Sequence, residues 1–410
     1  MIPSKPISGT MRAFQRLKLF FMFDFDAIRP YRDEEARPVL NRILADPEFL
    51  SALARFRFPY LPAAMLGFIK PLIRWQLRHE TRTVCDVRSF QAVIEKYMTR
   101  IIQSTTTALT VSGVEKLNPK QAYLFISNHR DIAMDPALMN WVLFHSGMDT
   151  ARIAIGDNLL TKPFASDLMR LNKSFLVSRG EMAPKKIYAA LKNLSAYIYH
   201  SIAVDNALVW IAQREGRAKE GIDSTEEAII KMFAMSKPKD MAFPDFIRSL
   251  HIVPVAISYE WDPCDIPKAR ELYYKKELGA YQKDVHEDVH SIAKGIAGQK
   301  GRVHVSFGDV LQANFNNAEA VKTEIDRQIF ANYRLWPSNY LAANAQGKLP
   351  TDHETQAWAA ESTLFKERLT ACPVEYRPYF LAMYANPAYS ALAQPTSAQQ
   401  PVKSCDQLHL

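Results

Sequence analysis

Between residues 105 and 307, short apolar runs of strand length alternate with longer stretches of helical spacing. The strand-like runs are 105–111, 122–127, 152–155, 175–178, 207–212, 252–259 and 303–307. Helical patterns fall between them at 136–145, 163–171, 184–202 and 225–235. A chain that alternates in this way needs crossover connections, which predicts an α/β domain. With 48% hydrophobic and 23% charged residues over 410 positions, there is ample side chain for a core. A mainly disordered chain is therefore excluded.

Residues 1–103 read as helical. Asp46-Pro47-Glu48 is a helix start: Asp caps, Pro suits the first position and Glu suits the positive end of the dipole. Phe90, Val93, Ile94, Tyr97 and Ile101 repeat a helical spacing. Beyond residue 316 two helices are expected, over 318–333 and 353–370. The last stretch, rich in Ala, Pro, Ser and Gln, reads as a flexible tail. The expected organisation is a helical region over 1–103, an α/β domain over 104–316, helices over 317–385 and a tail over 386–410.

Lys and Arg number 51 against 43 Asp and Glu, a net charge of +8 that favours an anionic partner. No zinc-finger spacing, aromatic RNA-binding block or long basic run supports nucleic acid. Cys85, Cys264, Cys372 and Cys405 are scattered. They form neither a disulfide framework nor a zinc ribbon, and they fit a reducing compartment. The apolar run 19–23 is interrupted by Asp24 and Asp26, unlike a signal peptide. The best approach to a membrane span, residues 60–77, contains Lys70 and Arg74 and falls short of the required apolar length. Lys70, Arg74, Arg78 and Arg82 recur every fourth residue amid apolar side chains. That pattern fits contact with an anionic membrane surface, or a helix packed on the protein with a solvated basic face. Pro71 is expected to kink or end that helix.

Four segments could carry chemistry. In Ser127-Asn128-His129-Arg130-Asp131, followed by Asp135-Pro136, a His stands after an apolar strand and before a helix. A carboxylate near such a His orients a general base, although Asp135 could equally be a plain helix cap. Gln213-Arg214-Glu215-Gly216-Arg217-Ala218-Lys219 follows another apolar strand. Its bases could neutralise a phosphate, with a solvated charged loop as the ordinary alternative. Arg179 ends a third strand. Pro254, in the fourth apolar run, marks a bulge or sheet edge, because proline cannot donate to a ladder.

Together, and in this order, the four segments resemble the four blocks of the glycerophosphate and lysophosphatidate acyltransferase family. Asn128-His129-Arg130 with a following Asp looks like its His–Asp block. Phe175–Arg179 looks like the second block, and Glu215-Gly216-Arg217 like the third. Val253-Pro254-Val255 with Tyr259-Glu260 looks like the fourth, in the form of the glycerol-3-phosphate branch. Two departures stand out. Asp135 falls one position later than the family pattern, which leaves Asp131 as a second partner for His129. Arg217 follows Gly216 directly.

The resemblance implies an α/β acyltransferase domain with a mixed sheet flanked by helices. It implies His129 as general base oriented by Asp135, with Arg179, Glu215, Gly216 and Arg217 binding the acceptor. Asn128, Arg130, Asp131, Arg214, Lys219 and Pro254 would be accessory. The implied reaction moves a fatty acyl chain from acyl-CoA or acyl carrier protein to 1-acyl-sn-glycerol-3-phosphate, or alternatively to the sn-1 hydroxyl of glycerol-3-phosphate. Neither metal nor cofactor is implied, and the expected location is cytoplasmic, at the inner face of the membrane. Ser127 is the nearest alternative nucleophile, but it lacks the G-x-S-x-G elbow.

Two rivals remain. His286-Glu287-Asp288-Val289-His290 matches the HExxH pattern of zinc hydrolases, with His304 as a third ligand by proximity in sequence. A non-enzymatic membrane-surface protein would share the charge and the apolar segments.

Overall fold

The computed structural model describes residues 23–58, 60–160, 162–180, 183–284, 286–347, 358–393 and 403–404. Four helices come first: α1 (Asp33–Ala45), α2 (Pro47–Arg57), α3 (Ala63–Glu80) and α4 (Val87–Thr105). Asp46 caps α2 as its sequence suggests, with its carboxylate accepting from the amides of Glu48 and Phe49. Asp86 caps α4 through the amide of Ser89. Pro71 lies inside α3, which runs through it to Glu80, so the helix does not end there. Arg82 lies past the helix end.

The α/β region then proceeds as β1 (Thr106–Ser112), β2 (Leu124–Ser127), α5 (Met134–His145), β3 (Arg152–Gly156), α6 (Pro163–Leu171) and β4 (Ser174–Val177). It continues with α7 (Pro184–Ala203), β5 (Val209–Ala212), α8 (Glu227–Ala234), α9 (Phe243–Ser249) and β6 (Ile252–Tyr259). Next come α10 (Asp265–Glu277), α11 (Glu287–Ala297), β7 (Gly301–Phe307) and α12 (Ala318–Asn332). The C-terminal part holds α13 (Pro337–Ala345), α14 (Ala359–Ala371), α15 (Arg377–Leu392) and a two-residue strand β8 (Lys403–Ser404).

The strands form one mixed sheet in the order β4-β3-β5-β2-β6-β7-β1-β8. β4, β3, β5, β2 and β6 are parallel, so their carboxyl ends lie along one edge of the sheet. β7 turns antiparallel to β6 and parallel to β1. Helices cover both faces. Along β2, Leu124 and Ile126 pack with α7, α8, α9 and α12, while Phe125 packs with α5. β6 alternates likewise: Ile252 and Ala256 face one core, Val253, Val255 and Ile257 the other. A two-residue side-chain period between two covered faces accounts for the unbroken apolar runs.

Pro254 sits in the middle of the sheet, between β2 and β7, not at an edge or bulge. Its position is tolerated because its nitrogen faces the side where β7 has just ended. Its carbonyl there accepts from the amide of Gly308 at 2.8 Å.

The N-terminal helices attach to the sheet layer through α6. Ala36, Val39, Leu40, Ile43 and Phe90 pack with Leu171, and Arg42 and Tyr31 both bind the carboxylate of Asp167. At the other end, Trp261 and Ala269 join Phe365, Phe380, Met383 and Tyr384 in a separate core under α13, α14 and α15. The first residues of the tail expected from 386 are helical. α15 continues to Leu392 with Pro387 buried inside it, because the aromatic and alanine side chains of its turns fill that third core. Residues 394–402 and 405–410 of the expected tail, and Cys405, lie outside the described residues, as does 353–357 of the helix expected over 353–370.

Candidate active site

The loop that leaves β2 carries His129 to the carboxyl edge of the sheet. Its Nδ1 lies 2.8 Å from Oδ2 of Asp135, in the first turn of α5. Asp135 is fully buried and every contact holds it in place. Oδ2 also accepts from the backbone amides of Arg130 (2.6 Å) and Asp131 (2.9 Å), and Oδ1 accepts from the hydroxyl of Tyr259 at 2.7 Å. A carboxylate can only accept, so Nδ1 carries a proton; in the neutral imidazole that tautomer leaves the lone pair on Nε2. The indole of Trp210 meets the His129 ring edge-on, with centroids 5.9 Å apart. Burial and the neighbouring Asp135 push the Tyr259 phenol well above its ordinary range, which keeps it a donor.

Asp131 is turned away from His129. Its Oδ1 accepts from the amides of Ala133 and Met134, capping α5, and burial beside Asp135 raises its pKa. The partner left open by the sequence is thus Asp135 in geometry. Asn128 bonds both ways to the backbone of Ile257 and stitches the end of β2 to β6. Arg130 is buried and turned inward, with its guanidinium on Asp223 (2.6 Å) and on the carbonyls of Ala218 and Gly221. Ser127 is fully buried. It receives the Trp210 indole hydrogen and donates to the carbonyl of Asn128, so its hydroxyl does not face a substrate.

The loops after β4 and β5 stand next to this group. Arg179 lies half-exposed, with Nε 3.7 Å from the carboxylate of Glu215 and its amide on Asp157. Gly216 takes φ 73°, a left-handed turn that a side chain would strain. Arg214 and Lys219 are occupied: Arg214 pairs with Glu220 at 2.7 Å, and Lys219 pairs with the buried Glu271. Burial lowers the pKa of Lys219. Among the described residues, no hydrogen bond or ion pair ties up the guanidinium of Arg217. Of the basic residues in these two loops, Arg217 is thus without such a partner, and Arg179 has the 3.7 Å approach to Glu215.

His129, Arg179, Glu215, Gly216 and Arg217 line one cavity of about 1670 Å³. Its remaining walls are mostly apolar and include Ile132, Trp141 and Phe144 on one side and Leu168, Leu176 and Leu191 on another. α2 contributes Ser51, Ala52 and Arg55 to its rim. A cavity lined by a His, arginines and mostly apolar side chains suits a ligand with a charged head and a hydrocarbon chain.

The HExxH segment does not assemble into a comparable site. His286 stands at the N-terminus of α11 and meets the ring of His290 edge-on, and Glu287 accepts from the Tyr281 hydroxyl at 2.5 Å. Among the described residues, no three His, Cys, Asp or Glu side chains are grouped to hold a metal. His304 is on β7, buried, with its ring nitrogens on the hydroxyls of Thr110 and Ser112.

Sequence reasoning did not single out the Tyr259 hydroxyl as a partner of Asp135. It also missed Asp223, the partner of Arg130, and Trp210 beside His129. Nothing local marks these residues, since their partners are more than 80 positions away.

The acyltransferase family model matches residues 108–258, which span β1 to β6 and hold His129, Asp135, Arg179 and the loop after β5. Over these residues the α/β region is similar to the acyltransferase family. A curated relative, the glycerol-3-phosphate acyltransferase of Pseudoalteromonas translucida (strain TAC 125), is 26% identical over 232 residues, which cover 54% of this chain. The match takes in 26% of that relative, so the chain spans about a quarter of its length. Among solved structures, the crystal structure of the 1-acyl-sn-glycerophosphate (LPA) acyltransferase PlsC from Thermotoga maritima aligns at 13% identity with a TM-score of 0.36. The alignment covers 78% of this chain and 95% of that one.

Proposed function

We propose that this protein transfers a fatty acyl chain from the thioester of acyl-CoA or acyl carrier protein to the free hydroxyl of 1-acyl-sn-glycerol-3-phosphate. The observation that carries this reading is the shared cavity. His129, fixed by Asp135, lines it together with Arg179, Arg217 and mostly apolar side chains. Nε2 of His129 takes the proton from the acceptor hydroxyl, and the oxygen attacks the thioester carbonyl carbon. The tetrahedral adduct collapses with cleavage of the carbon–sulfur bond, and the departing thiolate takes the proton back from His129. Asp135 holds the ring and stabilises the imidazolium between the two proton transfers. Arg179 and Arg217 bind the phosphate, with Glu215 holding Arg179 in place. Neither a metal nor a redox cofactor is required, because both reacting centres belong to the substrates.

Glycerol-3-phosphate is the second acceptor reading. It is favoured by the activity named for the 26%-identical relative and by the form of the Val253-Pro254-Val255 segment. An assay with labelled acyl-CoA and acyl carrier protein against both acceptors, for wild type and His129→Ala, tests the proposal. Product with one acceptor, lost in the variant, supports the reaction and names the acceptor. A folded protein giving no product with any pairing in the presence of lipid overturns it.

The same reading places the protein on an anionic membrane surface, at the cytoplasmic face. No helix among the described residues is long and apolar enough to cross a membrane. α3 instead presents Met65, Phe68, Leu72 and Trp75 outward along one face, with Phe68 87% exposed, and carries Lys70, Arg74 and Arg78. Apolar side chains beside basic ones suit an interfacial helix.

A further inference from the structure

The loop that carries Arg217 is gripped from two sides. From the inside, Arg130 donates to the carbonyls of Ala218 (3.3 Å) and Gly221 (3.2 Å), and the amide of Ala218 donates to the carbonyl of His129 at 2.8 Å. From the outside, α15 lies on the loop. The side-chain amide of Asn386 donates to the carbonyl of Glu220 at 2.7 Å. Gly221 takes φ 84°, and the carbonyl of Met383 stands where its Cβ would be, so helix and loop touch backbone to backbone. Glu220 in turn holds Arg214.

α15 is a firm support. The Tyr384 hydroxyl donates to Asp265 and accepts from the amide of Asp262, its carbonyl accepts from Asn339, and Phe380 is fully buried. This helix lies outside residues 108–258, in a part of the chain with its own core. We infer that α15 sets the position of the acceptor-binding loop, and that Asn386 is the positioning residue through which it does so. Asn386 neither lines the cavity nor touches the reacting atoms. It acts on Arg217 through the carbonyl of Glu220. The inference rests on the acceptor role proposed for Arg217, while the mechanical link between helix and loop stands apart from it.

Asn386→Asp keeps the size of the side chain and removes the donor. Losing one such bond is expected to raise the acceptor KM about 3- to 10-fold, with kcat, the acyl-donor KM and the melting temperature near wild type. Hydrogen exchange at the amides of Ala218 and Gly221 should accelerate by a similar factor. Ser390→Ala on the same helix is the control and should match wild type in both. Unchanged exchange in Asn386→Asp overturns the link between helix and loop, whatever the activity. Faster exchange with an unchanged acceptor KM overturns the positioning role. Absence of transfer by the wild type removes the proposed function instead, and exchange alone then decides the link.

Discussion

Tyr259, the last residue of β6, gives its hydroxyl hydrogen to Oδ1 of Asp135 across 124 positions of sequence, at 2.7 Å. Asp135 thereby has both oxygens engaged: one by Tyr259, the other by His129 and two backbone amides. The buried carboxylate is fully paired, which makes its burial tolerable and fixes its orientation. Tyr259→Phe leaves Oδ1 without its donor. A lost bond of about 1–3 kcal/mol corresponds to about 5- to 150-fold in kcat if all of it is felt in the transition state. Wild-type kcat in Tyr259→Phe would remove the hydroxyl from the mechanism.

His129→Ala is expected to lower kcat by about 100- to 10,000-fold with an unchanged circular-dichroism spectrum. Ser127→Ala should instead act on stability, since Ser127 receives the Trp210 indole and lies out of reach of the cavity. Comparable losses of kcat in both variants would contradict the assignment of the base.

Arg217 and Lys219 separate binding from folding. Arg217→Ala should raise the acceptor KM about 10- to 150-fold, the worth of a charge-assisted bond. Lys219→Met should lower the melting temperature and leave the acceptor KM near wild type, because Lys219 is committed to Glu271. Steady-state kinetics beside thermal melts reads both, and the reverse pattern would reassign the phosphate contact.

His304 predicts an acid-side loss of stability. Burial first, and the charge of Arg334 second, lower its pKa to about 4 from 6.5. The unfolded chain therefore takes up this proton before the folded one does. The contribution is whole above pH 6.5, falls as pH drops towards 4, and is worth about 3 kcal/mol over that window. Urea unfolding of wild type and His304→Gln at pH 7 and pH 4.5 checks the sign: the variant should show the shallower decline.

The outward face of α3 gives a binding prediction. Phe68→Glu and Trp75→Glu each remove an exposed apolar group and should weaken partition onto anionic vesicles by about tenfold or more. Co-sedimentation with charged and neutral vesicles measures it. Unaltered partition would remove α3 from the membrane contact.

Much of this protein is legible in local pattern. The strand-and-helix alternation, the Asp46 helix start, and a His placed just after an apolar strand all depend on residues close in the chain. Their backbone preferences and side-chain periods act before any distant contact forms. What neighbours in sequence could not decide was choice among partners. Asp131 is the nearer to His129 in sequence, but the turn into α5 points it at backbone amides and brings Asp135 to the imidazole. Pro254 reads as an edge residue until β7 ends beside it. Of the basic residues after β5, Arg214 and Lys219 are claimed by Glu220 and Glu271. The support of the Arg217 loop by Asn386 spans 166 positions. Hydrogen bonds and ion pairs are short-ranged and directional, so pairings like these exist only once packing has brought the elements together.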